Sequence, residues 1–174
     1  VERIAARFAP RLIVLACNTA SQAALEAARA RFPEISFVGT VPAVKPAAAW
    51  SRGRRIGVLA TQRTVEGDYL RGLVERYARG CVVVGLPAND LVAFVENELH
   101  RASAAERAAR AADAAARVRD AGVDTVVLGC THFLHFEVEL REAFGPDVVL
   151  VDSRDGVAKQ TARLAADGCA SGSP

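Results

Sequence analysis

The 174-residue sequence has no methionine, no long hydrophobic run and no closely spaced pair of cysteines. No apolar run approaches the roughly 20 residues that a membrane-spanning helix requires. The opening segment VERIAARFAP is too charged to serve as the apolar region of a signal peptide. We therefore expect a protein that resides in the cytoplasm and does not bind a membrane.

The sequence also lacks a large excess of charge of either sign, because 22 basic and 20 acidic side chains leave a net charge of +2. The basic residues form no polybasic block. Such a balance lacks the electrostatic footprint of nucleic-acid binding. The four cysteines, Cys17, Cys81, Cys130 and Cys169, form no CxxC motif that would indicate zinc or a redox dithiol. In a reducing compartment we expect thiols, and no metal.

Short runs rich in valine, isoleucine and leucine alternate with helical patterns, which is typical of parallel strands joined by helices. The predicted strands cover residues 11–16, 36–41, 55–60, 81–86, 124–129 and 147–152. Helices are predicted over 20–31, over a segment capped by Thr64, and over 90–121 with a stop at Gly122. The sequence therefore predicts an α/β fold.

Prolines and small residues at 40–46, and again the segment FGPD near 144–147, predict two crossings between lobes. Residues 1–43 and 147–174 would then form a first lobe, and residues 44–146 an inserted second lobe. We expect two pseudo-symmetric lobes, each a mainly parallel sheet flanked by helices, with the active site in the cleft between them.

Two segments share the same local pattern: LACNT at 15–19 and LGCTH at 128–132. Each places a cysteine just past a predicted parallel strand, where ligands bind and the next helix presents free N–H groups. The positive end of a helix stabilises a thiolate, which can exchange protons near neutral pH. Cys17 and Cys130 are therefore candidate catalytic residues. The polar side chains beside them, suited to a small carboxylate ligand, are Asn18, Thr19, Thr131 and His132.

Two thiols on opposite faces of one carbon suit racemisation, because one thiolate removes the α-proton while the other thiol delivers a proton to the opposite face. The site must stabilise a carbanion-like state with preorganised donors and exclusion of water, without an obligatory metal or pyridoxal. The alternative is that each cysteine is an inert core residue and His132 a helix cap. The repeated pattern favours the chemical role.

The motifs LACNTAS at 15–21, VPAVKPAA at 41–48, RIGVLAT at 55–61, LGCTHF at 128–133 and VDSRDGVA at 151–158 resemble those of the glutamate racemase family, within the aspartate/glutamate racemase superfamily. The resemblance implies cofactor-independent interconversion of L- and D-glutamate, which supplies bacterial peptidoglycan. It implies catalytic roles for Cys17 and Cys130, assistance by Glu96, and substrate binding by Asn18, Thr19, Thr131 and His132. We also expect a homodimer.

The family's Asp-Ser-Gly and Tyr-Gly motifs should precede LACNTAS and do not occur there. The resemblance thus implies a racemase truncated at its amino terminus, whose activity is weak or lost. Two alternatives stay open. One is a superfamily racemase acting on aspartate or a hydantoin, against which Ser21 and His132 argue, and the other is a non-catalytic homologue.

Overall fold

The computed structural model describes the backbone of residues 1–170 and the side chains of residues 1–167, so the Cys169 side chain lies outside the described residues. The chain divides into two compact units. The first consists of Val1–Val41 together with the segment that begins at Ser153, and the second is the continuous segment Pro42–Asp152.

Strands and helices alternate along the chain. The strands are β1 (Leu12–Leu15), β2 (Ser36–Gly39), β3 (Arg55–Ala60), β4 (Val82–Pro87), β5 (Thr125–Leu128) and β6 (Val149–Val151). The helices are α1 (Glu2–Phe8), α2 (Asn18–Arg31), α3 (Val44–Trp50), α4 (Gln62–Glu66), α5 (Asp68–Tyr77), α6 (Asn89–Asn97), α7 (Ala104–Ala121), α8 (Glu137–Phe144) and α9 (Arg154–Ala170), and a 3-10 helix spans Thr131–Phe136. All six predicted strands are present, and the α/β class is confirmed.

The sheet of the first unit has two parallel strands, β1 and β2, with Leu15 opposite Gly39. Helix α2 lies so close to β2 that a Cβ atom on Gly39 would come within 2.6 Å of a methyl carbon of Leu25. Ala28, Ile35 and Phe37 form the small core of this unit.

The sheet of the second unit has the order β4-β3-β5-β6, and all its strand pairs are parallel. Two clusters of buried apolar residues pack against this sheet, and neighbouring residues of β3 belong to different clusters. Leu59 packs among residues of α6, α7 and α8, whereas Val58 packs with residues of α3 and α5. Every residue of β5 is buried. A parallel sheet covered by helices on both faces has this pattern of nearly continuous apolar strands.

The boundary after the second unit differs from the sequence-based one. Residues 147–152 were assigned to the first lobe, but β6 pairs with β5, with Val151 opposite Val127. The chain therefore returns to the first unit only after Asp152. Hydrogen bonding to β5 decides this placement, which the residues FGPD alone do not indicate.

Two helical predictions need correction. The cap of α4 is Thr61, whose side chain accepts a hydrogen bond from the Thr64 N–H, so Thr64 lies inside the helix. The region 90–121 is two helices, because Ser103 starts α7 with a capping box that includes Glu106. The predicted stop at Gly122 is confirmed, with a left-handed backbone at φ 59°.

Gly129 brings the end of β5 against β3. Its N–H donates to the Leu59 carbonyl at 2.7 Å. A Cβ atom at this position would lie 2.9 Å from the Ala60 Cβ and 3.2 Å from the Leu59 carbonyl oxygen. The two strands can therefore stay bonded up to the residue before Cys130 only because residue 129 has no side chain.

At the opposite end of the sheet, Asp124 fastens the loop between α3 and β3 to the start of β5. The Ser51 hydroxyl donates to its carboxylate at 2.6 Å, and the Gly53 N–H donates to the other oxygen. Burial raises the pKa of the Asp124 carboxyl, but its hydrogen bonds, those from Ser51 and Gly53 foremost, together outweigh burial, so the pKa lies below its ordinary value.

We expect Asp124→Asn to lower the free energy of unfolding at pH 7 by about 1–2 kcal/mol, because an amide cannot accept from both donors. A depressed folded-state pKa contributes stability above the unfolded-state value, about 3.9, that is lost as pH falls through the folded-state value. Urea unfolding from pH 7 to pH 2 should show the two proteins converging below about pH 4. A constant difference over that range would contradict the assignment.

We expect Gly129→Ala to lower the free energy of unfolding by about 1–3 kcal/mol, because the new methyl group forces β3 and β5 apart. Gly72→Ala is the matched control: Gly72 lies inside α5, and beyond the neighbouring backbone of that helix no atom lies within 4 Å of the added carbon. This control should stabilise by about 0.5–1 kcal/mol. Equal effects in thermal unfolding would mean that the close approach at Gly129 is unimportant.

Candidate active site

The first predicted cysteine begins α2. Cys17 has an extended backbone, with φ −151° and ψ 126°, and its carbonyl accepts the Ser21 N–H at 2.9 Å. Its thiol is exposed. Asn18 and Thr19 occupy the first helical turn directly after it, where backbone N–H groups lack partners within the helix.

Asn18 is the most unusual residue of this turn. Its side chain is only 3% exposed, and neither its amide nitrogen nor its amide oxygen has a hydrogen-bond partner among the described residues. Buried amides without partners cost about 1–3 kcal/mol and are rare in folded proteins. Asn18 is therefore suited to receive a polar ligand group. Thr19 beside it is half-buried.

Ser21 holds this turn to the sheet. Its hydroxyl donates to the Leu15 carbonyl at 3.1 Å and accepts the Thr40 N–H at 2.9 Å. The Thr40 hydroxyl donates to the same carbonyl at 2.8 Å. The carboxyl ends of β1 and β2 are thus tied to the start of α2. The sequence offered Ser21 as a mark of substrate choice, whereas its contacts are with the backbone.

The second predicted cysteine lies within a chain of three side chains. Cys130 follows β5 with an extended backbone and is 9% exposed. Its Sγ lies 3.3 Å from His132 Nδ1. His132 Nε2 lies 2.8 Å from an oxygen of Glu96, which is carried by α6. We call Cys130, His132 and Glu96 the relay. Three of the predicted site residues are thus brought together.

The relay can move a proton from sulfur to nitrogen. When His132 Nε2–H donates to the Glu96 carboxylate, Nδ1 is left facing the sulfur as an acceptor. Nδ1 can then take the thiol proton while Nε2–H stays bonded to the carboxylate. This arrangement follows the general logic of an activated nucleophile or base, in which a third group orients the imidazole. Thr131, the residue between Cys130 and His132 in the sequence, is half-buried and begins the 3-10 helix.

Two hydroxyls that were not predicted as site residues lie at the same edge of the sheet as Cys130. Thr61 and Thr64 follow β3, which is the neighbour of β5, and their hydroxyls are 3.1 Å apart. Thr64 is fully buried. Only the strand order could have revealed them, because β3 and β5 are far apart in sequence.

The other two histidines and Cys81 lie outside these two groups. His100 and His135 are exposed, as expected. Cys81 precedes β4, with its sulfur 3.8 Å from an Arg54 nitrogen. Within the part of the chain whose side chains are described, no group of three or more His, Cys, Asp or Glu residues could hold a metal ion. In the same part, no helix is long and apolar enough to cross a bilayer.

Known proteins resemble this chain over most of its length. A glutamate racemase from Roseiflexus sp. (strain RS-1) is 42% identical over 154 residues, 88% of this chain and 56% of the relative. The crystal structure of Escherichia coli glutamate racemase with L-glutamate and the activator UDP-MurNAc-Ala is 36% identical with a TM-score of 0.80, covering 94% of this chain and 61% of that one. For glutamate racemase RacE1 from Bacillus anthracis the identity is 26%, the TM-score 0.80, and the coverage 94% and 60%.

This chain therefore spans about three fifths of the length of these relatives. Residues 1–161 match the Asp/Glu/Hydantoin racemase family. The resemblance inferred from the cysteine motifs is confirmed, and the chain belongs to the Asp/Glu/Hydantoin racemase family.

Proposed function

We propose that the protein interconverts L- and D-glutamate without a cofactor, using the thiols of Cys17 and Cys130 on opposite faces of the substrate α-carbon. The observation that carries the proposal is the relay, which gives Cys130 a base at 3.3 Å in a chain that belongs to a racemase family. Named glutamate racemases among its relatives support the choice of substrate.

The reaction begins when His132 Nδ1 takes the Cys130 proton and leaves a thiolate. That thiolate removes the α-proton of one enantiomer, and the Cys17 thiol delivers its proton to the opposite face of the carbanion-like intermediate. The reverse reaction begins with the Cys17 thiolate. Glu96 holds the His132 ring in the orientation this transfer needs, with its carboxylate 2.8 Å from Nε2.

Substrate binding falls to the polar groups that flank the two thiols. The unpartnered Asn18 amide can donate to the substrate carboxylate through its nitrogen and accept from the substrate ammonium through its oxygen. Thr19 and Thr131 add hydroxyl groups next to each cysteine. The proposed setting is the bacterial cytoplasm, where a homodimer supplies D-glutamate for peptidoglycan.

In a chain completed to the length of its racemase relatives, we expect Cys17→Ser and Cys130→Ser each to lower racemisation by at least about 100-fold, because a serine hydroxyl is a far weaker acid than a thiol. NMR in deuterium oxide measures deuterium incorporation at the α-carbon of either enantiomer. Cys81→Ser is the matched control and should exchange as the unaltered protein does.

Exchange that survives loss of both Cys17 and Cys130 would exclude the two-thiol reaction. A thermal-shift series with D-glutamate separates the remaining alternative, a non-catalytic homologue. Saturable stabilisation without exchange would indicate a protein that binds glutamate and does not racemise it.

We expect glutamate to be turned over with a kcat/KM at least about tenfold above that for aspartate, because one methylene of mismatch displaces the α-carbon from the thiols. Circular dichroism of a panel of single enantiomers, including aspartate and a hydantoin, measures the rates. Faster turnover of aspartate or of the hydantoin would assign the chain to another activity within the superfamily.

A further inference from the structure

Glu96, whose carboxylate lies 2.8 Å from His132, is carried by the last turn of a short helix, which is the part of a helix that opens most readily. It is the penultimate residue of α6, a helix of nine residues. The Phe94 carbonyl accepts hydrogen bonds from the backbone N–H groups of both Glu98 and Leu99. The second bond departs from the regular helical pattern, so the helix ends within this turn. Terminal turns of short helices open at little cost in free energy. Contacts from outside α6 must therefore hold the carboxylate in place.

Two arginines of α7 form hydrogen bonds near the two ends of α6. Arg107 donates to the Leu99 carbonyl at 2.9 Å, just beyond the end of α6. Arg117 donates to the Pro87 carbonyl at 3.0 Å and to the Asp90 carboxylate at 2.9 Å, at the start of α6. Ten residues of helix span about 15 Å, which matches the length of a nine-residue helix lying alongside.

The ring of Phe94 provides the third contact. Phe94 and Phe136 meet edge to face, with centroids 5.6 Å apart, and both are almost fully buried. Phe136 ends the 3-10 helix that carries His132. The Arg110 guanidinium lies 5.5 Å from the centroid of the Phe94 ring. Helix α6 is thus fastened to the segment that bears the imidazole, two residues before Glu96.

We propose that Arg107 is a positioning residue for the relay: by holding the Leu99 carbonyl, it keeps the last turn of α6 closed and the Glu96 carboxylate on His132. Phe94 fixes the chain two residues before Glu96, and Arg107 fixes it three residues after. Arg107 contacts neither the imidazole nor the thiol. The catalytic role of the relay rests on the proposed function, whereas the positioning of Glu96 by Arg107 does not.

The contacts around Arg107 keep its guanidinium in one orientation. Its second nitrogen pairs with Glu139 of α8 at 3.2 Å, and Glu142 of the same helix lines the adjoining groove. The Arg107 side chain is 36% exposed and that of Glu139 is 20% exposed. Two helices thus fix the direction of the guanidinium, and one of its bonds is directed at the main chain after Glu96.

The test measures alkylation of Cys130 by iodoacetamide at pH 7, quantified peptide by peptide with mass spectrometry. Thiolate is the reacting species, so the rate reports how well the relay supports it. Arg107→Gln should slow alkylation of Cys130 by about twofold, toward the rate of Glu96→Gln. Arg107→Lys should recover part of the loss, because one donor can still reach the carbonyl. The rate at Cys81 serves as the internal reference.

Two comparisons separate positioning from general loosening. In a Glu96→Gln background, Arg107→Gln should have no further effect, because Arg107 acts only through Glu96. Arg117→Gln, the matched control at the other end of α6, should leave the Cys130 rate unchanged even where it lowers the thermal midpoint.

The proposal is overturned by an unchanged or faster Cys130 rate in Arg107→Gln, by additive effects with Glu96→Gln, or by an equal effect of Arg117→Gln. Alkylation does not require turnover. A protein that fails to racemise glutamate would therefore contradict the proposed function while leaving this test intact.

Discussion

The hydrogen-bonded pairing of β5 with β3 is the constraint on which the second half of the site depends. β5 is buried throughout and lies between β3 and β6, so its direction and register are fixed from both sides. The bond from Gly129 to Leu59 extends this order to the residue before Cys130. The thiol therefore leaves the sheet from a rigid point, and His132 follows it within one short turn. Only Glu96 comes from a different part of the chain, and it alone needs separate contacts to hold it.

The two cysteine motifs are alike in sequence but differ in their surroundings. Cys17 is exposed and precedes a helix whose first residue, Asn18, is a buried amide without a hydrogen-bond partner among the described side chains and backbone. Cys130 is buried and has an imidazole and a carboxylate in line with it. The first motif thus has unmet capacity for a ligand, and the second has a built-in route for a proton. A reaction that needs both binding and proton transfer can use this division.

The sequence predicted what local chemistry controls and missed what only tertiary contacts decide. Runs of branched apolar residues located all six strands, and Gly122 marked a helix end because a left-handed residue favours glycine. The break before Ser103 went unseen, since an alanine-rich segment continues the helical pattern across it. The pairing of β6 with β5 was also missed, because the residues of a strand do not by themselves determine which strand it pairs with. Glu96 was placed near the second cysteine by family resemblance alone, and its contact with His132 gives that placement a physical basis.

The energies involved explain how side chains of α7 can matter to the relay without dominating stability. The hydrogen bond from Arg107 to the Leu99 carbonyl contributes about 0.5–1.5 kcal/mol to the stability of the whole unit, and the partly exposed ion pair of Arg107 with Glu139 about 0–1 kcal/mol. The last turn of a short helix, however, opens for a free energy near zero when nothing holds it. Against so small a cost, about 1 kcal/mol changes the ratio of closed to open turns by about fivefold. Glu96 can support His132 only while the turn is closed. A contact that is minor for folding therefore raises the fraction of molecules with a closed turn from about one half to about five sixths.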